Sequence, residues 1–246
     1  MVDSFRELAA SPDPDGRRLL LDGDHLIEAA EAAECEFEVV AATGASPITE
    51  RLRRTGVEVI GINDDVLRAI SPVKSPSGIV AIARRHAASV AAMAGRDDAL
   101  IVVAIDIQDP GNLGSLMRAA EAGGATGMFI TGASAHPFGW KTLRGSMGSA
   151  LRLSIATVTL DDALAALRAG GVATVATVPR GGTPVDTFHW DGKRAILLGG
   201  EGPGLPDTAL ATADYHVSIP MAGGVESLNV AVAGALLVYA ARRVRA

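Results

Sequence analysis

Short apolar runs alternate with amphipathic stretches along nearly the whole chain, and an Ala-rich stretch near residue 95 divides them into two sets. In the first set, Arg18-Leu19-Leu20-Leu21 reads as a strand and leads through Asp22-Gly23-Asp24 into a helix over about 25–34, with Asp24 as its N-cap. A strand over 36–41 follows, then a helix over 48–54 stopped by Gly56, a strand over 57–60 and a helix over 64–70. The loop Ser71-Pro72-Val73-Lys74-Ser75-Pro76 precedes a strand over 79–83. Beyond the connector at 86–98, Leu100 to Ile105 is continuously apolar, as suits a central parallel strand buried on both faces. Helices are expected over 113–122, 140–149, 161–169 and 207–211, and strands over 128–131, 153–158, 172–178, 194–198 and 215–219. A glycine-bearing loop at 221–225 then leads to Glu226-Ser227-Leu228-Asn229, which opens a long apolar helix. Strand and helix alternate throughout, the pattern of an α/β protein with an open sheet covered on both faces. Two domains are expected, 1–94 and 95–246.

Composition narrows the class. A chain of 246 residues, 48% hydrophobic and 4% aromatic, is globular in character and buries an adequate core as one domain or two. The longest apolar run, Val230 to Ala241, is interrupted by Gly234 and falls short of the roughly 20 residues of a membrane span. The acidic N-terminus lacks an apolar signal core, so a cytoplasmic protein with no membrane partner is expected. Cys35 is the only cysteine, which excludes an intrachain disulfide and a Cys-based zinc site; the five histidines form no HExxH pattern, and no metal is expected.

The net charge of −6 runs against a nucleic-acid partner, whose phosphates call for Lys and Arg. Residues 1–94 carry 10 Lys/Arg against 15 Asp/Glu, and residues 95–246 carry 12 against 13. Contacts to RNA would have to come from local clusters such as Arg51, Arg53 and Arg54, or Arg84 and Arg85.

Three segments carry candidate chemistry. In Asp109-Pro110-Gly111-Asn112-Leu113-Gly114-Ser115-Leu116-Met117-Arg118, Asn112 stands where an N-cap belongs, and Arg118 is a cation among small and apolar neighbours. Plain readings are a cap and a surface charge. In Ile196-Leu197-Leu198-Gly199-Gly200-Glu201-Gly202-Pro203-Gly204, an apolar strand runs into four glycines around one glutamate, which lets backbone approach a ligand closely. The segment does not fit G-x-G-x-x-G, and the chain has no GxxxxGK[ST], so neither a dinucleotide fold nor a P-loop is supported. In Ile219-Pro220-Met221…Glu226-Ser227-Leu228-Asn229, polar groups stand at a strand-to-helix junction; the plain reading makes Ser227 a cap, Leu228 core and Asn229 a first-turn polar residue.

In order and spacing, these segments resemble the three signature motifs of the SpoU/TrmH family of RNA ribose 2′-O-methyltransferases: N-x-G-x-x-x-R, G-x-E-x-x-G, and the Ile-Pro-Met…Ser-Leu-Asn stretch. The resemblance implies a trefoil-knotted SPOUT methyltransferase domain with a parallel sheet, preceded by a small L30e-like α/β domain that binds the RNA substrate. The first half ends in Pro76-Ser77-Gly78-Ile79-Val80-Ala81, similar to the close of that domain. It implies S-adenosyl-L-methionine as cofactor, held by Gly199, Gly200, Ile219, Pro220, Met221 and Leu228, with Thr177 lining the pocket. Asn112, Arg118, Glu201, Ser227 and Asn229 would form the catalytic centre, Arg118 acting either as base or as an electrostatic group at the ribose. Arg144 to Ala150 resembles a further family stretch and could face the RNA. The family is homodimeric, and the apolar final helix offers a face for that contact. Ribosomal RNA is the preferred substrate; tRNA, or a non-catalytic RNA-binding protein on the same fold, are the alternatives.

Overall fold

The computed structural model describes residues 1–202 and 204–245, the side chains of Val244 and Arg245 excepted; Pro203 of the glycine-rich segment lies outside the described residues. The chain runs through α1 (Val2–Ala10), β1 (Arg18–Asp22), α2 (Asp24–Ala32), β2 (Glu36–Ala42), α3 (Pro47–Arg54), β3 (Val59–Gly61), α4 (Asp64–Ile70) and β4 (Ile79–Arg84). It continues with α5 (Val90–Gly95), β5 (Leu100–Ile105), α6 (Pro110–Ala122), β6 (Gly127–Thr131), α7 (Trp140–Ser146) and α8 (Ser149–Arg152). Then come β7 (Ile155–Thr157), α9 (Leu160–Ala169), β8 (Ala173–Thr177), β9 (Thr183–Pro184), β10 (Arg194–Gly199), α10 (Asp207–Thr212), β11 (Tyr215–Ser218) and α11 (Val230–Arg245). Two compact units result. One is Met1–Ala87 with His136–Arg152, and the other is Ala88–Ala135 with the chain from Leu153 onward.

The first unit holds a four-stranded sheet in the order β1-β4-β2-β3, antiparallel except for the β2/β3 pair. Alternation along β1 places Leu20 in a cluster with Phe5, Leu8, Leu67 and Ile70 of α1 and α4, while fully buried Leu19 and Leu21 face the other way. Ser46 and Thr49 form a reciprocal capping box that starts α3, with Pro47 in the first turn. At α2 the expectation of an Asp24 cap fails: Gly23 holds the cap position, and Asp24 is the first helical residue, its carboxylate set near the positive end of the helix. The expected helix over 140–149 is split, because Met147 (φ 50°) and Gly148 (φ 85°) both adopt left-handed backbone between α7 and α8.

Arginines in this unit are largely tied down. Glu38 binds Arg18 at 2.8 Å and Arg84 at 2.5 Å, and Arg51 pairs with Glu31 at 2.8 Å and Glu28 at 3.6 Å. Arg85 lies over the Phe138 ring at 4.0 Å and donates to the Gly16 carbonyl; burial pushes its guanidinium below its ordinary value. Of the two clusters that the sequence offers to RNA, Arg51, Arg84 and Arg85 are therefore engaged within the protein.

The second unit is built on a seven-stranded sheet in the order β7-β6-β5-β10-β8-β11-β9, with every pair parallel. All six residues of β5 are buried, as the continuous apolar run required. Helices α5, α9 and α10 supply Met93, Ala163, Leu167 and Ala209 to the core on one face. On the other face α6 and α11 pack together, and glycines set their approach: a Cβ on Gly234 would strike Leu116, and one on Gly123 would strike Val238. The strand order places β10 between β5 and β8, so the carboxyl ends of β8, β10 and β11 lie side by side. Open parallel sheets bind ligands at such ends. Among the described residues no helix is long and apolar enough to cross a membrane.

Burial raises the carboxyl of Glu38, but the hydrogen bond from Arg18 and the charges of Arg18 and Arg84 outweigh it and hold the group below the usual Glu value. A depressed carboxyl stabilises the fold above its unfolded-state pKa, and that contribution is lost as pH falls through the folded-state value. Glu38→Gln is expected to cost about 0.5–1 kcal/mol at neutral pH, and the difference from wild type should vanish in acid when urea unfolding is followed across pH.

Candidate active site

The chain from β5 into α6 starts the site. Asp109, not Asn112, caps α6: its Oδ1 accepts the Asn112 backbone N–H at 2.7 Å. Asn112 is thereby moved into the first turn, and its side-chain amide is released for contacts elsewhere. The amide Nδ2 donates to Glu201 Oε1 at 2.7 Å, and Oδ1 accepts from Asn229 Nδ2 at 2.9 Å. Asn229 is in turn the cap of α11, accepting from the backbone N–H groups of Ala231 (3.0 Å) and Val232 (3.3 Å) through Oδ1. Ser227, read as a cap in its plain interpretation, stands outside the helix.

Glu201 is carried by a loop that folds back immediately after β10. Gly200 and Gly204 form an antiparallel bridge, and Gly202 (φ 100°) and Gly204 (φ 72°) take left-handed backbone. Gly199 and Gly200 are glycine for a different reason, because each is pressed against backbone: a Cβ would meet Gly204 in one case and the Asp106 carbonyl in the other. Thr177, ending β8, donates to the Leu197 carbonyl at 2.8 Å and ties the ends of β8 and β10 together.

A cavity of about 680 Å³ opens at these strand ends. Of the residues expected at the site, Thr177, Gly199, Gly200, Glu201, Ile219, Met221, Ser227, Leu228 and Asn229 line it. Asn112 does not line it but is bonded to two residues that do. Pro220 is exposed and absent from the lining, and so is Arg118, whose side chain makes no hydrogen bond or ion pair among the described residues. Asn112 and Arg118 are six residues apart on α6, roughly 9 Å along its axis and about 120° around it, so one helix cannot aim both at one point.

The sequence did not single out the apolar wall: Val178, Leu205, Leu210, Val217, Ala233 and Leu237. These residues follow ordinary core patterning, and only the strand order shows that they end at one cavity. Glu226 stood in the third segment without a role of its own; with Glu201 it makes up the titratable side chains of the described lining, so the cavity is acidic beside an apolar wall. Its volume lies within the roughly 300–1,000 Å³ of small-molecule sites. A ligand with an apolar body and a positive centre suits it. Among the described residues no three of His, Cys, Asp and Glu come together as metal ligands.

Comparison with known proteins agrees with this geometry. The SpoU rRNA Methylase family profile matches residues 99–239. A Bacillus subtilis (strain 168) protein named 23S rRNA (guanosine(2553)-2′-O)-methyltransferase RlmP is 31% identical over 221 residues, spanning 89% of this chain and 86% of its own. The crystal structure of the SpoU methyltransferase AviRb from Streptomyces viridochromogenes, in complex with AdoMet, matches with a TM-score of 0.89 at 29% identity, over 99% of this chain and 97% of that one. An AdoMet-bound rRNA methyltransferase from Sinorhizobium meliloti matches at 0.88 and 27% identity, over 98% and 94%.

The close seat of the glycine loop gives a stability test. Gly200→Ala forces a methyl group into the Asp106 carbonyl, and is expected to cost about 1–3 kcal/mol in urea unfolding. Gly181→Ala, where a Cβ meets nothing within 4 Å and only the positive φ of 81° opposes it, should cost less.

Proposed function

Because the chain belongs to the SpoU rRNA methylase family, we propose that it transfers a methyl group from S-adenosylmethionine to a ribose 2′-hydroxyl of ribosomal RNA. The observation that carries this reading is the cavity at the ends of β8, β10 and β11, where Glu201, Ser227 and Asn229 face an apolar wall. Gly200, Ile219, Met221 and Leu228 would hold the adenosyl portion of the cofactor by close backbone approach and apolar contact. When bound there, S-adenosylmethionine supplies a methyl group activated by a positive sulfur. Glu201 and Glu226 offset that charge, and the apolar wall keeps water from the reactive end.

Asn112 holds one oxygen of Glu201, so the carboxylate presents a fixed face to the cavity. Arg118 lies outside the described lining, exposed and with no ion pair among the described residues, and its part is toward the RNA. The Arg118 guanidinium is a cation and a hydrogen-bond donor only, so Arg118 acts by stabilising negative charge as the ribose oxygen loses its proton to solvent.

Residues 1–94 are the RNA-binding domain in this reading, an L30e-like fold supported by the β1-β4-β2-β3 sheet flanked by helices. Residues 95–246 are the knotted SPOUT domain. A seven-stranded parallel sheet in which the chain revisits interior positions supports this, as does the loop at 178–184, where Gly182 presses on the Val217–Ser218 backbone. The active form is a homodimer. Val232, Leu236 and Tyr239 repeat at i, i+4, i+7 on α11 and stand 49%, 46% and 45% exposed, an apolar stripe that begins one turn from Asn229.

Labelled methyl from S-adenosylmethionine should enter unmodified ribosomal RNA in an alkali-resistant linkage. Label entering tRNA alone would reassign the substrate, and no label with no cofactor binding would overturn the enzyme. Arg118→Ala is expected to lower kcat about 10²-fold or more, and Arg118→Lys to recover only part of it, since an ammonium lacks the planar fork. Leu236→Glu should halve the mass seen by light scattering; an unchanged mass would remove α11 from the dimer contact.

A further inference from the structure

The catalytic bond between Asn112 and Glu201 joins two loops that are far apart in sequence, and a single residue touches the backbone path of both. Asp106 follows β5 directly and adopts φ +56°, a left-handed conformation uncommon for a residue with a side chain. Its backbone N–H continues the β5–β6 ladder to the Thr131 carbonyl at 3.3 Å. Its Oδ1 accepts the Ala133 N–H at 2.6 Å, inside the turn after β6. That turn is shaped around the carboxylate: Gly132 has φ +64°, and a Cβ there would strike Asp106 Oδ1. The next residue, Ile107, is fixed in the same way, its N–H donating to Ser134 Oγ at 3.0 Å and its carbonyl accepting from Ala135.

On its other side, the Asp106 carbonyl is the surface on which Gly200 rests, one residue before Glu201. Downstream, only two residues separate Asp106 from Asp109, the cap that places Asn112. The left-handed turn at 106 thus sets both the floor under Glu201 and the direction in which the chain leaves for Asn112. We infer that Asp106 is a positioning residue of the active site, its carboxylate locking a left-handed backbone turn that aligns Glu201 and Asn112. It is not itself a lining residue of the cavity and takes no part in the bond. The inference rests on the methyltransferase reading for its kinetic consequence, but its structural consequence stands without it.

Three variants of the full chain separate the parts. Asp106→Ala loses the carboxylate and disfavours the positive φ; Asp106→Gly keeps the backbone and loses the carboxylate; Asp106→Asn keeps an acceptor and tolerates the left-handed region. With S-adenosylmethionine and unmodified ribosomal RNA, Asp106→Ala is expected to lower kcat at least tenfold or so, while KM for the cofactor moves less than about threefold. Asp106→Gly should fall between, and Asp106→Asn should restore most of kcat. Amide exchange in the protein without ligands is the second readout: residues 107–115 and 199–205 should exchange faster in Asp106→Ala and Asp106→Gly, but not in Asp106→Asn. Equal kcat in all three, a loss carried by KM alone, or unchanged exchange in both segments would overturn the assignment. Wild-type protein that transfers no methyl would count against the methyltransferase reading instead, and the exchange result would still decide the role of Asp106.

Discussion

Three segments separated by up to 117 residues meet in one directed chain of hydrogen bonds, from the first N–H groups of α11 to Asn229, from Asn229 to Asn112, and from Asn112 to the carboxylate of Glu201. Every link points the same way, each donor facing the next acceptor, so the chain ends on the one group able to carry a full negative charge. Such alignment polarises the bonds in sequence and favours a single orientation of both amides. In an exposed setting each link contributes only about 1 kcal/mol, which cannot by itself assemble the fold. The packing of α6 on α11 does that, through Gly123 and Gly234, and the hydrogen bonds then register the helices to the glycine loop. Substituting either glycine would disturb the site without touching a polar atom in it.

Charge is managed in a different way in the two units. An acidic protein that binds RNA must free a few cations from internal use, and the first unit does the reverse with Arg18, Arg51 and Arg84, which serve Glu38, Glu28 and Glu31. The long-range field offered to phosphate is therefore weak, and cations without an ion pair among the described residues, such as Arg53 and Arg118, are the ones left for such contacts. In the cavity, by contrast, the acidic balance suits the proposed cofactor, since Glu201 and Glu226 are among the lining residues and its sulfur is cationic.

How much of this was legible in the sequence follows from what each kind of signal depends on. Strands β5 and β10 were plain because burial on both faces writes an unbroken apolar run. Helices α1 and α5 were missed: the Phe5 and Leu8 pair is hidden in an acidic N-terminus, and the short α5 is Ala-rich with only Met93 to mark its buried side. Asn112 was named from the motif, and the plain reading that made it the cap of α6 fails, because Asp109 and Asn112 both suit a cap and only the backbone shows which one takes it. Arg118 and Pro220 carry the motif pattern yet lie outside the cavity lining, since a motif records residue types and not the direction in which they point. The SpoU motifs thus named residues most of which gather at one cavity, while its geometry came from contacts such as Gly200 on Asp106 that no local pattern encodes.

The parts of the site differ in how firmly they are held, and the difference matches the work each has to do. Glu201, Asn112 and Asn229 stand on the ends of buried elements and are bonded to one another, so their positions are set before any ligand arrives. Ser227 and Leu228 belong to a stretch without regular structure between β11 and α11, and Ser227 is exposed. That side of the cavity lacks helix or strand hydrogen bonds of its own, so holding it against a cofactor carries the entropic cost of ordering a few residues. That division also explains why glycines crowd the fixed side. There, backbone must lie against backbone to hold a charged group still, and any side chain at Gly199 or Gly200 would separate the very strand ends that define the site.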